Sequence, residues 1–170
     1  MSWKKRVQVA LLVAALTVPV HGYVVVTPIE ELVRLSDRIV LATVTEVRES
    51  HTAGRLIRHA KARVLESWKG YAADGEVEYI ASAGWFLCDV SDAKVGETIV
   101  LFLDCSERDC RITRYGNGRM LVDGAGASRV ARFHEVTFPA GVVVSSSGKW
   151  PYCRSVQLDG LKQLVLRLAS

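Results

Sequence analysis

RIVLATVTEVRES (38–50), HAKARVLESWKG (59–70), EVEYIAS (76–82) and VGETIVLFLD (95–104) decide the fold of this chain. Side chains alternate in polarity along the first three, the period of a strand with one face buried. Val40, Ala42, Val44 and Val47 mark one side of the first, with an irregularity between Val44 and Val47. Ile39 and Leu41 make its start apolar on both faces, as expected where a helix covers the sheet. In the second, Ala60, Ala62 and Val64 face one way and His59, Lys61 and Arg63 the other. The phase then shifts at Leu65 and Trp68, which predicts a bulge that helps a sheet curl. The last segment is a dense apolar strand, Ile99 to Leu103. Together they predict one antiparallel sheet joined by polar turns.

Outward from this core, the N-terminus has to be set aside first. Trp3-Lys4-Lys5-Arg6 is a basic head, Val7 to Val18 is apolar apart from Gln8 and Thr17, and Val20-His21-Gly22 supplies compact residues for cleavage. That is the order of a secretory signal peptide, expected over residues 1–22. Its apolar run is short for a membrane span, so no stable span is expected after cleavage. Without Lys4, Lys5 and Arg6 the chain keeps 19 basic against 18 acidic side chains, net +1. So balanced a chain has no field to draw it to nucleic acid, and none is expected as a partner. Residues 23–170 form the expected single domain, exported to a periplasm or secreted.

Four cysteines follow the leader: Cys88, Cys105, Cys110 and Cys153. An even count in an exported domain predicts disulfides. Three pairings are open. The short Cys105–Cys110 spacing favours a local bridge across a hairpin loop, which leaves Cys88 with Cys153. A zinc site built from all four lacks the paired C-x-x-C spacing.

Thr27-Pro28-Ile29-Glu30 reads as a capped helix start, with Ile29, Leu32 and Val33 on one face and an end near Ser36-Asp37. Gly116-Asn117-Gly118 reads as a hairpin turn between Arg111–Tyr115 and Arg119–Asp123. A further hairpin is expected from Val130–Phe138 and Gly141–Val144. Leu158, Leu161, Leu164, Val165 and Leu168 form a helical stripe, predicting a C-terminal amphipathic helix that docks on its own domain.

Ser36-Asp37-Arg38-Ile39-Val40, Val64-Leu65-Glu66-Ser67-Trp68-Lys69-Gly70, Cys88 and Gly96-Glu97-Thr98-Ile99-Val100-Leu101-Phe102-Leu103 give the chain a recognisable layout. It resembles a netrin-like or tissue-inhibitor-of-metalloproteinase-like module, as do exported bacterial proteins of unassigned function. The resemblance covers about residues 30–123. It implies a mainly β fold: an OB-like five- or six-stranded curled antiparallel barrel with a short N-terminal helix and a C-terminal helix. The family's inhibitors bind their target's zinc through a mature N-terminal Cys. Here the expected mature N-terminus is Tyr23-Val24-Val25-Val26, and no Cys precedes Cys88. The inhibitory wedge is therefore not implied, and fold alone does not carry function.

The remaining constellations favour structure over chemistry. His51, His59 and His134 are dispersed, without a ligand spacing. Ser146-Ser147-Gly148-Lys149 matches S-x-x-K, but that motif needs a helix start and companion motifs. Arg58, Lys61 and Arg63 could line a basic groove, yet a solvated sheet face explains them more simply. Trp85, Phe86 and Leu87, in the long connection 83–96, are the candidate recognition loop, since loops carry binding disproportionately. No cofactor, metal or catalytic set is expected. The expected function is an exported, disulfide-stabilised, non-catalytic module that binds an envelope or extracellular protein. The alternative is a protease inhibitor acting through the 85–92 loop without an N-terminal Cys.

Overall fold

A computed structural model of the chain describes residues 26–52, 55–70, 75–82, 92–106, 109–146 and 151–170. Elements follow in the order β1 (Thr27–Pro28), α1 (Ile29–Leu35), β2 (Arg38–Thr52), β3 (Arg55–Lys69), β4 (Glu76–Ser82), β5 (Thr98–Cys105) and β6 (Cys110–Ile112). After these come β7 (Arg119–Asp123), β8 (Val130–Phe133), β9 (Val136–Thr137), β10 (Ser145–Ser146), β11 (Arg154–Gln157) and α2 (Leu158–Ala169).

Five strands close on themselves. β2 pairs antiparallel with β3, β3 with β4, and β2 with β5. β6 then joins the two ends, antiparallel to β5 and parallel to β4. The ring β5-β2-β3-β4-β6-β5 is a closed, mainly β, OB-like barrel, and closure leaves its strands without free edges. The opposite edge of β5 divides. Its lower half, Leu103–Cys105, carries β6, while Ile99–Leu101 carries β7. From β7 the sheet runs on through β8, β11 and β10 as an extension outside the barrel.

That arrangement gives two cores. Ile99, Leu101 and Leu103 point into the barrel with Val40, Ala42, Val44, Ala60, Ala62, Val77, Tyr79 and Ala81. Val100 and Phe102 point the other way, with Ile39, Leu41 and Trp68, under the two helices. β5 is dense in apolar residues because both of its faces are buried. α1 contributes Ile29, Leu32 and Val33, and α2 contributes Leu158, Leu161, Leu164 and Val165. α2 docks as its stripe predicts, although Leu168 is 37% exposed.

The expected irregularities fall in place. Across β2–β3 the register skips at Leu65 and at Trp68 on β3, and at Thr45 on β2. Each extra residue kinks its strand and tightens the curl that closure needs. Trp68 uses its place as an extra residue to enter the outer core.

Three local expectations are corrected. Thr27 does not cap α1: no side chain bonds the helix start, and Thr27 is buried in β1, where its hydroxyl accepts a hydrogen bond from Asn117 Nδ2 at 2.9 Å. Residues 115–118 form a 3-10 turn instead of a hairpin turn, and β6 and β7 both pair with β5 rather than with each other. The buried Asn117 amide, tied to Thr27, draws this segment inward. In the C-terminal region β8 pairs with β7 and β11, and β9 pairs parallel with β1, so Val130–Phe138 and Gly141–Val144 form no hairpin together.

Candidate functional site

Residues of the 36–37 and 69–70 stretches hold the barrel to α1. Ser36 ends α1: its hydroxyl donates to Leu32 O at 2.7 Å and lies 2.8 Å from the Thr113 hydroxyl, just past β6. Asp37 N donates to Leu103 O, and Asp37 Oδ2 accepts from Cys105 N, both at 2.8 Å. Lys69 Nζ donates to Val33 O and Ser36 O, each at 2.7 Å, and so caps the carbonyl end of α1 from β3. Gly70 sits at φ +70° with its Cα against the Asp37 carbonyl, where a side chain would collide. Glu97, the acidic member of the G-E pair, is engaged through one oxygen. Its Oε2 accepts from Lys94 N at 3.0 Å and from Arg119 Nη2 at 2.5 Å, while Gly96 N donates to Val44 O.

Arg119 lies at the fork where β5 passes from β7 to β6. It is 2% exposed, donates to the Tyr152 hydroxyl as well as to Glu97, and stands over the Tyr152 ring at 5.6 Å. Tyr79, from β4, is 1% exposed inside the barrel, and among the described residues neither its hydroxyl nor Arg119 Nε has a hydrogen-bond partner. Burial pushes the Tyr79 phenol well above its ordinary pKa, because the phenolate would lose its water. The small side chains of Ala42, Ala60, Ala62 and Ala81 leave the room that Tyr79 fills. The alternation of Glu76 to Ser82 sets Tyr79 on the same side as Val77, and both are buried.

At the other end of β5 the Cys105–Cys110 disulfide forms as the spacing suggests, spanning a sequence separation of 5. It closes a charged loop. Asp104, Ser106, Asp109 and Arg111 line an open depression of about 300 Å³ beside it. The Ser106 N–H and hydroxyl both bond Asp109 O, so the loop is braced internally. β5 and β6 are the fourth and fifth strands of the barrel. The loop between them is one of the places where OB barrels bind ligands.

Of the other expected site residues, Trp85, Phe86, Leu87 and Cys88 lie outside the described residues. Cys153 is exposed and, among the described residues, joined to no other cysteine. Asp92, at the end of the candidate loop, accepts from Arg58 Nη1 at 2.6 Å. Arg58 also donates to Glu49 Oε1 at 2.9 Å, and the two carboxylates raise its already high pKa, Asp92 more than Glu49. Lys61 lies opposite Glu46 on β2 and Glu78 on β4, and Arg63 lies opposite Glu76. The basic strand is thus flanked by acidic partners, which makes it a solvated, charge-balanced face. Ser146 stands on β10 opposite Arg154, and the rest of the S-x-x-K stretch, Ser147 to Lys149, lies outside the described residues. Among the described residues no three His, Cys, Asp or Glu side chains come together as metal ligands. Among those same residues no helix is long and apolar enough to cross a membrane.

No protein-family model matches the chain, and no curated protein matches it closely enough to count as a relative.

Proposed function

We propose that this chain is an exported, disulfide-stabilised, non-catalytic binding module whose partner is an envelope or extracellular protein, met at the β5–β6 loop. One observation carries the reading. A closed barrel presents at its rim a loop clamped by a disulfide, with two carboxylates, a guanidinium and a hydroxyl around one depression. A disulfide across the ends of a loop reduces the entropy lost on binding, and a mixed-charge rim selects a partner of complementary charge. The leader-like N-terminus and the disulfide support an oxidising, exported setting. The likeness to netrin-like modules supports the barrel and its welded helices, since its residues bind the protein to itself. The inhibitor alternative rests on residues 85–92, of which only Asp92 is described.

The test is retention from an envelope extract on immobilised mature chain, native against the charge-reversed loop variant Asp109→Lys/Arg111→Glu. Both substituted positions are solvent-exposed, so the variant should fold. A protein retained by the native chain and lost from the variant is the expected result. Equal retention by both, or none by the native chain, overturns the proposal.

A further inference from the structure

The barrel is closed by its shortest strand. β6 has three residues, whereas the β2–β3 seam runs from Ile39–Lys69 to Thr52–Arg55, interrupted only by its bulges. Between β6 and β4 there is a single bridge, Ile80 opposite Arg111, and it is parallel, the weaker kind of pairing per residue. Between β6 and β5 there are three rungs: Leu103–Ile112, Asp104–Arg111 and Cys105–Cys110. The disulfide spans the outermost rung. The inner end of β6 is held separately, by Thr113 N bonded to Phe102 O at 2.9 Å and by the Ser36–Thr113 hydroxyl pair. One end of the closing strand is therefore pinned to β5 and α1, and the other by a bond that thiols can break, the disulfide, beside the weaker Ser106–Asp109 hydrogen bonds at the turn.

We propose that the Cys105–Cys110 disulfide is a redox clasp. Its reduction by a dithiol frees the outer end of β6, opens the β4–β6 seam and exposes the barrel interior along Ile112, Ala81 and Tyr79. Cys105 is partly exposed and Cys110 is buried in the barrel cluster, so Cys105 Sγ is the sulfur an incoming thiolate reaches. That attack forms a mixed disulfide at Cys105, and Cys110 leaves as a thiolate and takes up a proton. The second thiol of the reductant then releases Cys105. Two electrons and two protons pass to the protein, and the dithiol becomes a disulfide. The strand swings about Thr113 because the bonds there involve no sulfur. β2, β3 and β5 keep their long ladders, so the change stays local to the seam. Ile112 and Cys110, each 8% exposed when the clasp is closed, would then meet water.

The experiment is amide hydrogen exchange on the mature chain carrying Cys88→Ser and Cys153→Ser, oxidised and then treated with dithiothreitol. Only the clasp can respond in that chain. Residues 80–82 and 110–112 are expected to exchange at least about tenfold faster after reduction, with 39–42 and 99–101 unchanged. A second variant, Cys105→Ser/Cys110→Ser in the otherwise native chain, should show the open pattern with no reductant. Equal exchange in oxidised and reduced forms would overturn the proposal. So would equal acceleration at 39–42 and 99–101, because the bridge would then be a staple of the whole fold and not a clasp on one seam.

Discussion

Lys69 ties two elements together through one ammonium group, and its two carbonyl acceptors belong to the end of α1. Lys69→Met keeps the stem that lies along the protein and removes both bonds. It is expected to cost about 1.5–3 kcal/mol, the worth of a hydrogen bond to a charged donor, measured by urea unfolding. Gly70→Ala should be worse, at least about 2 kcal/mol. It forces a positive φ on a side-chain-bearing residue and drives its Cβ into the Asp37 carbonyl. Tyr79 behaves in the opposite sense, because its hydroxyl is buried with no partner among the described residues. Tyr79→Phe is expected to leave stability at neutral pH unchanged or raised, within about 1 kcal/mol. Its pH dependence has a definite sign. The folded phenol holds its proton beyond the ordinary tyrosine pKa, so the unfolded chain ionises first. Stability from this group is full below about pH 10 and falls as pH rises above it. Tyr79→Phe should flatten that alkaline loss; an unchanged alkaline limb would show that Tyr79 does not cause it.

Among the elements, α2 docks through one apolar face and one ion pair. Leu161 is fully buried, so Leu161→Ala should cost about 2–5 kcal/mol, whereas Leu168→Ala, partly exposed, should cost well under that. Similar losses at both would mean that the helix is rotated from the face described. The ion pair joins Lys162 to Glu66, which also accepts from Trp68 Nε1. The Lys162 ammonium first, then the indole N–H, hold the Glu66 carboxyl below its ordinary pKa. Its contribution is therefore present above the ordinary carboxylate range and lost as pH falls through the folded pKa. The stability difference between native chain and Lys162→Ala should be small at neutral pH and vanish in acid. These elements were also the most legible in the sequence. Alternation located β2 to β4, because a side chain's face follows from the period alone, and the dense apolar run located β5. Phase slips located the bulges at Leu65 and Trp68 for the same reason. What the sequence did not show were long-range partners. Asn117 reads as a turn residue until Thr27, 90 positions away, claims its amide. Arg119 reads as the first residue of a strand after a turn until Glu97 and Tyr152 enclose it. The β5–β6 loop was legible as a disulfide, but its charged depression depends on closure, which no local pattern encodes.

At the scale of the whole molecule, closure organises everything else: the inner core, the position of the clamped loop and the branching of the sheet at β5. The cysteines bear on it directly. If Cys88 pairs with Cys153 as the sequence suggests, thiol titration of the unfolded, unreduced mature chain finds no free thiol. Two free thiols would leave Cys105–Cys110 as the single bridge. The measurement that tests closure itself is an inter-strand NOE map of the oxidised mature chain across the β4–β6 seam. A closed barrel predicts backbone contacts between Ile80 and Arg111 in parallel register, alongside the antiparallel contacts of Leu103 with Ile112. Contacts on the β5 side with none between Ile80 and Arg111 would describe an open, curled sheet and contradict the account.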